Sequence, residues 1–178
     1  MERKNLVSFK GNPVTLEGTE LKIGMRAPVF RAHDSDLKEV TLKDFDGKVK
    51  LISVTTSLDT SVCDNQARRF NQEAAAIPDI AVINISMDLP FAIKRFCTTA
   101  GIDRVTTLSD YKDASFGMNY GVLIKELRLL ARSIFVIDKD DVIRYMEIVH
   151  EVAQNVNFDK ALDEARNLVS RERVRKAG

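Results

Sequence analysis

Short apolar runs alternate with amphipathic segments along this chain, and each pattern predicts one kind of element. Residues 48–55 (KVKLISVT) and 80–86 (IAVINIS) are rich in β-branched residues, which is typical of buried strands. Between these runs, apolar residues recur at spacings of three and four, which predicts an amphipathic helix. These residues are Ala67, Phe70, Ala74 and Ile77.

A second helix is predicted to begin at Pro90 and to end at Gly101, because proline favours the first helical position and glycine the C-terminal cap. Its inward-facing residues are predicted to be Phe91, Ile93, Phe96, Cys97 and Ala100. A third strand is expected at 105–108. Two further strands, 134–137 and 142–149, flank a polar turn and predict a hairpin.

The two ends of the chain complete the pattern. A Gly-Asn-Pro turn within about residues 6–23 predicts an N-terminal β-hairpin. The last helix is expected to have one apolar face, formed by Phe158, Ala161, Leu162, Ala165 and Leu168. This order of elements predicts an α/β domain with a mixed central sheet flanked by helices, similar to the thioredoxin fold with an added N-terminal hairpin.

The length and composition are those of one globular domain, which we expect to span residues 1–178. With 27 Lys and Arg against 26 Asp and Glu, the net charge of +1 predicts no binding to nucleic acid or to anionic membranes. No apolar run approaches the roughly 18 residues that span a membrane.

The basic residues at 170–178 are expected to be a solvated, frayed end. Because the first residues lack the apolar core of a signal peptide, we expect the cytoplasm, or the periplasm if a leader was removed.

The most informative segment is 56–64 (TSLDTSVCD), which joins the first buried strand to the first helix. If Thr60 caps this helix, Cys63 lies in its first turn, where free amide groups and the helix dipole favour an anion. The thiolate is the nucleophilic form of cysteine, so this position favours a reactive Cys63. The candidate cationic neighbours are Arg68, Arg69 and Arg132. The alternative is a small buried hydrophobic residue, which is the common state of a lone cysteine.

The chain has one other cysteine, Cys97, on the second predicted helix. It is either a packed core residue or a redox partner of Cys63. A disulfide requires Cα atoms within about 7 Å, so we expect one or both cysteine segments to unwind if the bond forms. Together with His33 and His150, the cysteines match no zinc-ligand spacing, and we predict no metal site.

Several strings resemble the bacterial thiol peroxidases, a branch of the peroxiredoxins (atypical two-cysteine peroxiredoxins) whose resolving cysteine lies in the same chain. These strings are SLDTSVCD at 57–64, RRFN at 68–71, SMDLPFA at 86–92, RFC at 95–97 and LLAR at 129–132. The resemblance extends over nearly the whole chain, from about residue 7 to residue 168.

This resemblance implies that Cys63 is the peroxidatic cysteine and Cys97 the resolving cysteine, joined by an intramolecular disulfide during turnover. It implies that Thr60 contacts the thiolate and the peroxide, and that Arg132 keeps the thiolate ionised. The implied activity is reduction of hydrogen peroxide and of alkyl or lipid hydroperoxides, with thioredoxin as the reductant. Members of this branch usually form homodimers and need no metal, haem or flavin. The resemblance therefore implies a homodimer without a cofactor.

Two residues depart from the pattern of this branch, which usually has proline seven residues before the peroxidatic cysteine and directly after the threonine. Here these positions are Thr56 and Ser61. We expect Thr56 to weaken or retune the peroxidase, because a proline ring shields the thiolate from water and a threonine side chain adds a hydroxyl. Two other functions stay open: a redox sensor that uses the same disulfide as a switch, and a scaffold with impaired peroxidase activity.

Overall fold

The computed structural model describes residues 1–59, 61–74 and 76–177. In these ranges the strands are β1 (Glu2–Phe9), β2 (Asn12–Glu17), β3 (Arg31–His33), β4 (Glu39–Thr41), β5 (Val49–Val54), β6 (Ile80–Ser86), β7 (Thr106–Ser109), β8 (Leu123–Ile124), β9 (Leu129–Leu130), β10 (Ser133–Ile137) and β11 (Ile143–Ile148). The helices are α1 (Ser61–Ala74), α2 (Pro90–Ala100), α3 (Ser115–Asn119) and α4 (Phe158–Ala177), and a 3-10 turn lies at Leu42–Phe45.

A seven-stranded sheet forms the centre of the molecule, in the order β11-β10-β5-β6-β7-β3-β4. Strands β5, β6 and β7 are parallel and the other pairs are antiparallel, so the sheet is mixed, as predicted. The apolar runs account for this centre, because every residue of β5 is buried. Parallel neighbours need crossover connections, and α1 and α2 supply them.

Successive residues of β5 face two different cores, because side chains alternate across a strand. Leu51 packs with residues of the helical layer such as Phe70 of α1 and Leu162 of α4. Ile52 faces the other way and packs in a cluster that includes Phe116 of α3. The five residues predicted on the apolar face of α4 are all buried. Helices α1, α2 and α4 therefore share one face of the sheet.

A second sheet, in the order β1-β2-β8-β9, contributes residues to the core on the other face. The N-terminal hairpin, expected at about 6–23, is formed by β1 and β2 and spans residues 2–17, with Val7 opposite Val14. Its turn is at Lys10 and Gly11, which both have positive φ, 52° and 77°. The glycine of the predicted turn therefore occupies a conformation that glycine adopts without steric cost.

Phe91 is the one predicted core residue of α2 that faces solvent. Its side chain was expected to point inward, and this expectation is wrong, since the residue is 67% exposed. It lies two positions before the buried Ile93. At about 100° per residue, that separation places Phe91 on nearly the opposite side of the helix.

The C-terminal residues, whose composition suggests a solvated end, form the last turns of a helix. Helix α4 continues to Ala177. Two ion pairs connect its last turns to loops: Glu172 with Lys139 at 3.8 Å, and Arg173 with Asp79 at 3.5 Å. Within the described ranges, no helix combines the length and the apolar character needed to cross a bilayer.

Candidate active site

Strand β5 leads into α1, the helix that contains Cys63. Because β5 ends at Val54 and α1 begins at Ser61, Cys63 is the third residue of the helix and its backbone lies in the first turn. The predicted order of strand, connection and helix is present. Thr60 and the side chain of Cys63 lie outside the described residues, so the roles assigned to them stay predictions.

Arg132 reaches the same edge of the central sheet. It directly precedes β10, whose first residue, Ser133, lies opposite Val54 at the end of β5. The Arg132 side chain is almost completely buried, with 2% exposed, and its Nε donates a hydrogen bond to the main-chain oxygen of Val152 at 2.9 Å. A guanidinium stays protonated in proteins, so Arg132 contributes a buried positive charge at this edge.

The other two arginines that the sequence offered as cationic neighbours are held by neighbouring helices. Arg68 donates a hydrogen bond to the main-chain oxygen of Ala100, the last residue of α2, at 3.0 Å. Arg69 forms an ion pair with Asp159 of α4. These contacts position α1 between its two neighbours.

Thr56 lies in the connection between β5 and α1 and is buried, with 6% of its surface exposed. The residue before it, Thr55, extends the sheet pairing, since its N–H donates to the main-chain oxygen of Ile85 at 3.0 Å. The Thr56 hydroxyl has no hydrogen-bond partner among the described residues. A buried hydroxyl without a partner typically costs about 1–3 kcal/mol of folding free energy, so we expect the hydroxyl of Thr56 to lower the stability of the fold.

Cys97 lies in the second half of α2 and is half-buried. Its Sγ is 3.5 Å from the hydroxyl oxygen of Thr107 in β7. Burial raises the pKa of the Cys97 thiol, and the hydrogen bond with Thr107 opposes that effect only in part. A groove of about 540 Å³, lined in part by Lys94 and Asp103, runs beside the thiol. At neutral pH Cys97 is therefore a protonated thiol next to an open groove.

Helices α1 and α2 pack on the same face of the sheet, α1 against β6 and α2 against the adjacent β7. Besides Arg68, Asn71 joins them, because its Nδ2 donates to the main-chain oxygen of Gly101 at 3.2 Å. The two cysteines are therefore on neighbouring helices. The predicted disulfide involves the Cys63 side chain and stays a prediction.

A carboxylate within the SMDLPFA string at 86–92, to which no role was assigned, lies beside the connection to α1. Asp88 accepts hydrogen bonds from the hydroxyl of Ser57 at 2.8 Å and from the N–H of Leu58 at 2.7 Å. Its position soon after β6 is the signal that could have found it, because functional groups of parallel sheets gather at the carboxyl ends of the strands.

Comparison with known proteins gives close relatives over most of the chain. Residues 22–162 match the Redoxin family. The thiol peroxidase of Halalkalibacterium halodurans is 52% identical over 160 residues, which cover 90% of this chain and 96% of that protein. The thiol peroxidase of Bacillus subtilis is 52% identical over 163 residues, which cover 92% of this chain and 98% of that protein.

Solved structures show the same architecture and confirm the predicted thioredoxin-like fold. A peroxiredoxin-like protein from Aquifex aeolicus is 39% identical, with a TM-score of 0.86 and coverage of 92% of this chain and 97% of that one. A thiol peroxidase from Chromobacterium violaceum, 21% identical, shares the fold with a TM-score of 0.80 over 95% of this chain and 97% of that one. The chain therefore belongs to the Redoxin family and, within it, to the bacterial thiol peroxidases, which are enzymes of the peroxiredoxin type.

Proposed function

We propose that this enzyme reduces hydrogen peroxide and organic hydroperoxides through Cys63, with Cys97 as the resolving cysteine and thioredoxin as the reductant. The observation that carries the proposal is the position of Cys63 in the first turn of α1, at the sheet edge where the buried Arg132 also lies. A helix N-terminus and a nearby guanidinium both favour a thiolate over a thiol. The nucleophile is thus stabilised in its reactive form.

In the first step, the Cys63 thiolate attacks the terminal oxygen of the peroxide. A sulfur–oxygen bond forms while the oxygen–oxygen bond breaks, so the sulfur is oxidised to a sulfenic acid and the peroxide is reduced. The departing alkoxide or hydroxide takes up a proton and leaves as alcohol or water. We assign Arg132 and Thr60 to stabilise this developing charge, as donors aimed at a departing oxygen do in other enzymes.

In the second step, the Cys97 sulfur attacks the sulfur of the sulfenic acid. A disulfide forms, and the sulfenic hydroxyl leaves as water together with the thiol proton. A disulfide requires Cα atoms within about 7 Å, and we expect α1, α2 or both to unwind locally at this step. The dithiol of thioredoxin then reduces the disulfide by exchange and restores both thiols. We place this cycle in the bacterial cytoplasm, in a homodimeric enzyme.

Counting free thiols after adding one equivalent of an organic hydroperoxide tests this cycle. The wild-type protein is expected to lose both thiols. The Cys97→Ser variant is expected to hold a sulfenic acid on Cys63, which a dimedone-type reagent traps and intact mass detects. Unchanged thiols in both proteins would contradict the proposal.

Recycling by thioredoxin is tested separately, with thioredoxin reductase and NADPH present. Repeated turnover is expected, seen as continuous NADPH oxidation on addition of peroxide. A single oxidation that thioredoxin does not reverse would reject thioredoxin as the reductant and would favour a redox sensor.

A further inference from the structure

The connection between β6 and α2 contains a carboxylate with an unusual set of partners. One oxygen of Asp88 accepts the hydroxyl of Ser57 at 2.8 Å, and the other accepts the N–H of Leu58 at 2.7 Å and the hydroxyl of Ser86 at 2.8 Å. The hydroxyl of Ser109 donates to the main-chain oxygen of Asp88. Asp88 is thereby tied to the carboxyl ends of three adjacent strands, β5, β6 and β7.

These bonds connect the two segments that lead to the cysteines. Ser57 and Leu58 lie six and five residues before Cys63, and Asp88 lies nine residues before Cys97. Hydrogen bonds to a carboxylate are about twice as strong as bonds between neutral groups. The entry to α1 is therefore fixed relative to the entry to α2 by one charged side chain.

We propose that Asp88 is a positioning residue for peroxide reduction. By holding Ser57 and Leu58 against the end of the sheet, it fixes where α1 begins and so where the thiolate meets the peroxide. This inference rests on the proposed function of Cys63. During resolution the same bonds confine the rearrangement to residues beyond Leu58, because the chain before that point stays attached to the sheet.

Two variants in the Cys97→Ser background test this role, since that background isolates the first step. Asp88→Asn keeps the size of the side chain but replaces one accepting oxygen by an amide nitrogen, which donates hydrogen bonds and does not accept them. Ser57→Ala removes one donor to Asp88, together with the oxygen that accepts the N–H of Asp59 at 3.2 Å, and keeps the charge of Asp88. The rate of sulfenic acid formation is measured across the pH range in which Cys63 ionises, which gives a plateau rate and a pH midpoint.

A positioning role predicts a lower plateau rate in both variants. Losing hydrogen bonds to a charged group is expected to slow Asp88→Asn about 10- to 100-fold, and losing one of them to slow Ser57→Ala about 3- to 10-fold. A purely electrostatic role would instead move the pH midpoint of Asp88→Asn and leave Ser57→Ala unchanged, which would overturn the proposal. Ser57→Ala also supplies the test if Asp88→Asn folds poorly.

Asp138 offers a matched control at the opposite edge of the sheet. Its carboxylate accepts the N–H groups of Asp140 and Val142, both at 2.9 Å, and pairs with Arg144 at 2.6 Å. Asp138→Asn is therefore expected to destabilise the protein while leaving the plateau rate within about twofold of the parent.

The possible failures are distinguishable. If Asp88→Asn and Ser57→Ala unfold more easily, like Asp138→Asn, but react at the parent rate, Asp88 is only structural and the inference is wrong. If the Cys97→Ser protein with Asp88 intact forms no sulfenic acid, the proposed function of Cys63 fails instead.

Discussion

A buried guanidinium at the sheet edge where β5 ends makes Arg132 the first single residue to test. Lysine at this position keeps the charge but loses the planar set of donors. We expect peroxide to oxidise Cys63 about 100- to 1,000-fold more slowly in Arg132→Lys, because removing one donor that stabilises a departing oxygen typically slows a reaction by that factor. The measurement is the single-turnover reaction with peroxide. Thermal unfolding is the control, because the substitution also disturbs the hydrogen bond from Nε to the main-chain oxygen of Val152. A variant that is destabilised but reacts at the wild-type rate would show that Arg132 has only a structural role.

At Thr56, the effect of the side chain on stability can be measured separately from its effect on the rate of peroxide reduction. Its buried hydroxyl lacks a partner among the described residues, so Thr56→Val is expected to raise the free energy of unfolding by about 1 kcal/mol. Thr56→Pro introduces the ring that we expect to shield the thiolate from water, and we expect its peroxide rate to rise about tenfold, which corresponds to about 1.4 kcal/mol of barrier. Stopped-flow peroxide consumption and urea unfolding measure the two effects. No gain in rate from proline would show that Thr56 does not limit the enzyme.

Helix α2 sets the protonation state of the Cys97 thiol, which gives a prediction for one element. Because burial raises the pKa of Cys97, its alkylation by iodoacetamide in a Cys63→Ser variant is expected to be slow at neutral pH and to accelerate at a higher pH than for a free cysteine. Thr107→Val removes the hydrogen bond that lowers the pKa and should move this midpoint higher still. A midpoint in Thr107→Val at or below that of the parent would contradict this account of the helix.

Elements with a long, regular pattern could be predicted from the sequence, and short ones could not. The buried run at 80–86 coincides with β6, and the apolar face of α4 is buried as expected. Strands β8 and β9 have two residues each, too few to show a period of two, and their pairing depends on residues far away in the chain. Helix α3, with five residues, is equally short for a period of 3.6.

The candidate site also contains residues that a local sequence pattern predicts and contacts that only the topology creates. The place of Cys63 follows from a local order of strand, connection and helix, which the sequence shows directly. Arg132 was a candidate because it precedes a predicted core strand. The contact of Asp88 with Ser57 joins residues 31 positions apart, and it exists because β5 and β6 are parallel neighbours. Only the topology brings that pair together, so no local pattern could reveal it.

Across the whole molecule, Asp110 connects the central sheet to the elements that lead into the second sheet. Its N–H donates to the main-chain oxygen of Ser86 in β6 at 2.8 Å, and its carboxylate accepts the N–H groups of Phe116 and Gly117 at 3.0 Å and 2.8 Å. The residue is almost completely buried. Burial raises the pKa of Asp110 to about 6, and the N–H groups of Gly117 and Phe116 oppose this shift only in part.

This raised pKa predicts how stability depends on pH. The folded protein binds the Asp110 proton more tightly than the unfolded chain, where aspartate has a pKa of about 3.9. The stabilising contribution is therefore complete below about pH 4 and is lost as the pH rises through about 6, by about 3 kcal/mol at most. Asp110→Asn has no proton to lose, so the stability advantage of the wild type over this variant should shrink between these pH values. Urea unfolding of both proteins at a series of pH values measures that difference, in which titration of the other carboxylates cancels. A difference that stays constant with pH would mean that the hydrogen bonds from α3 keep Asp110 ionised throughout.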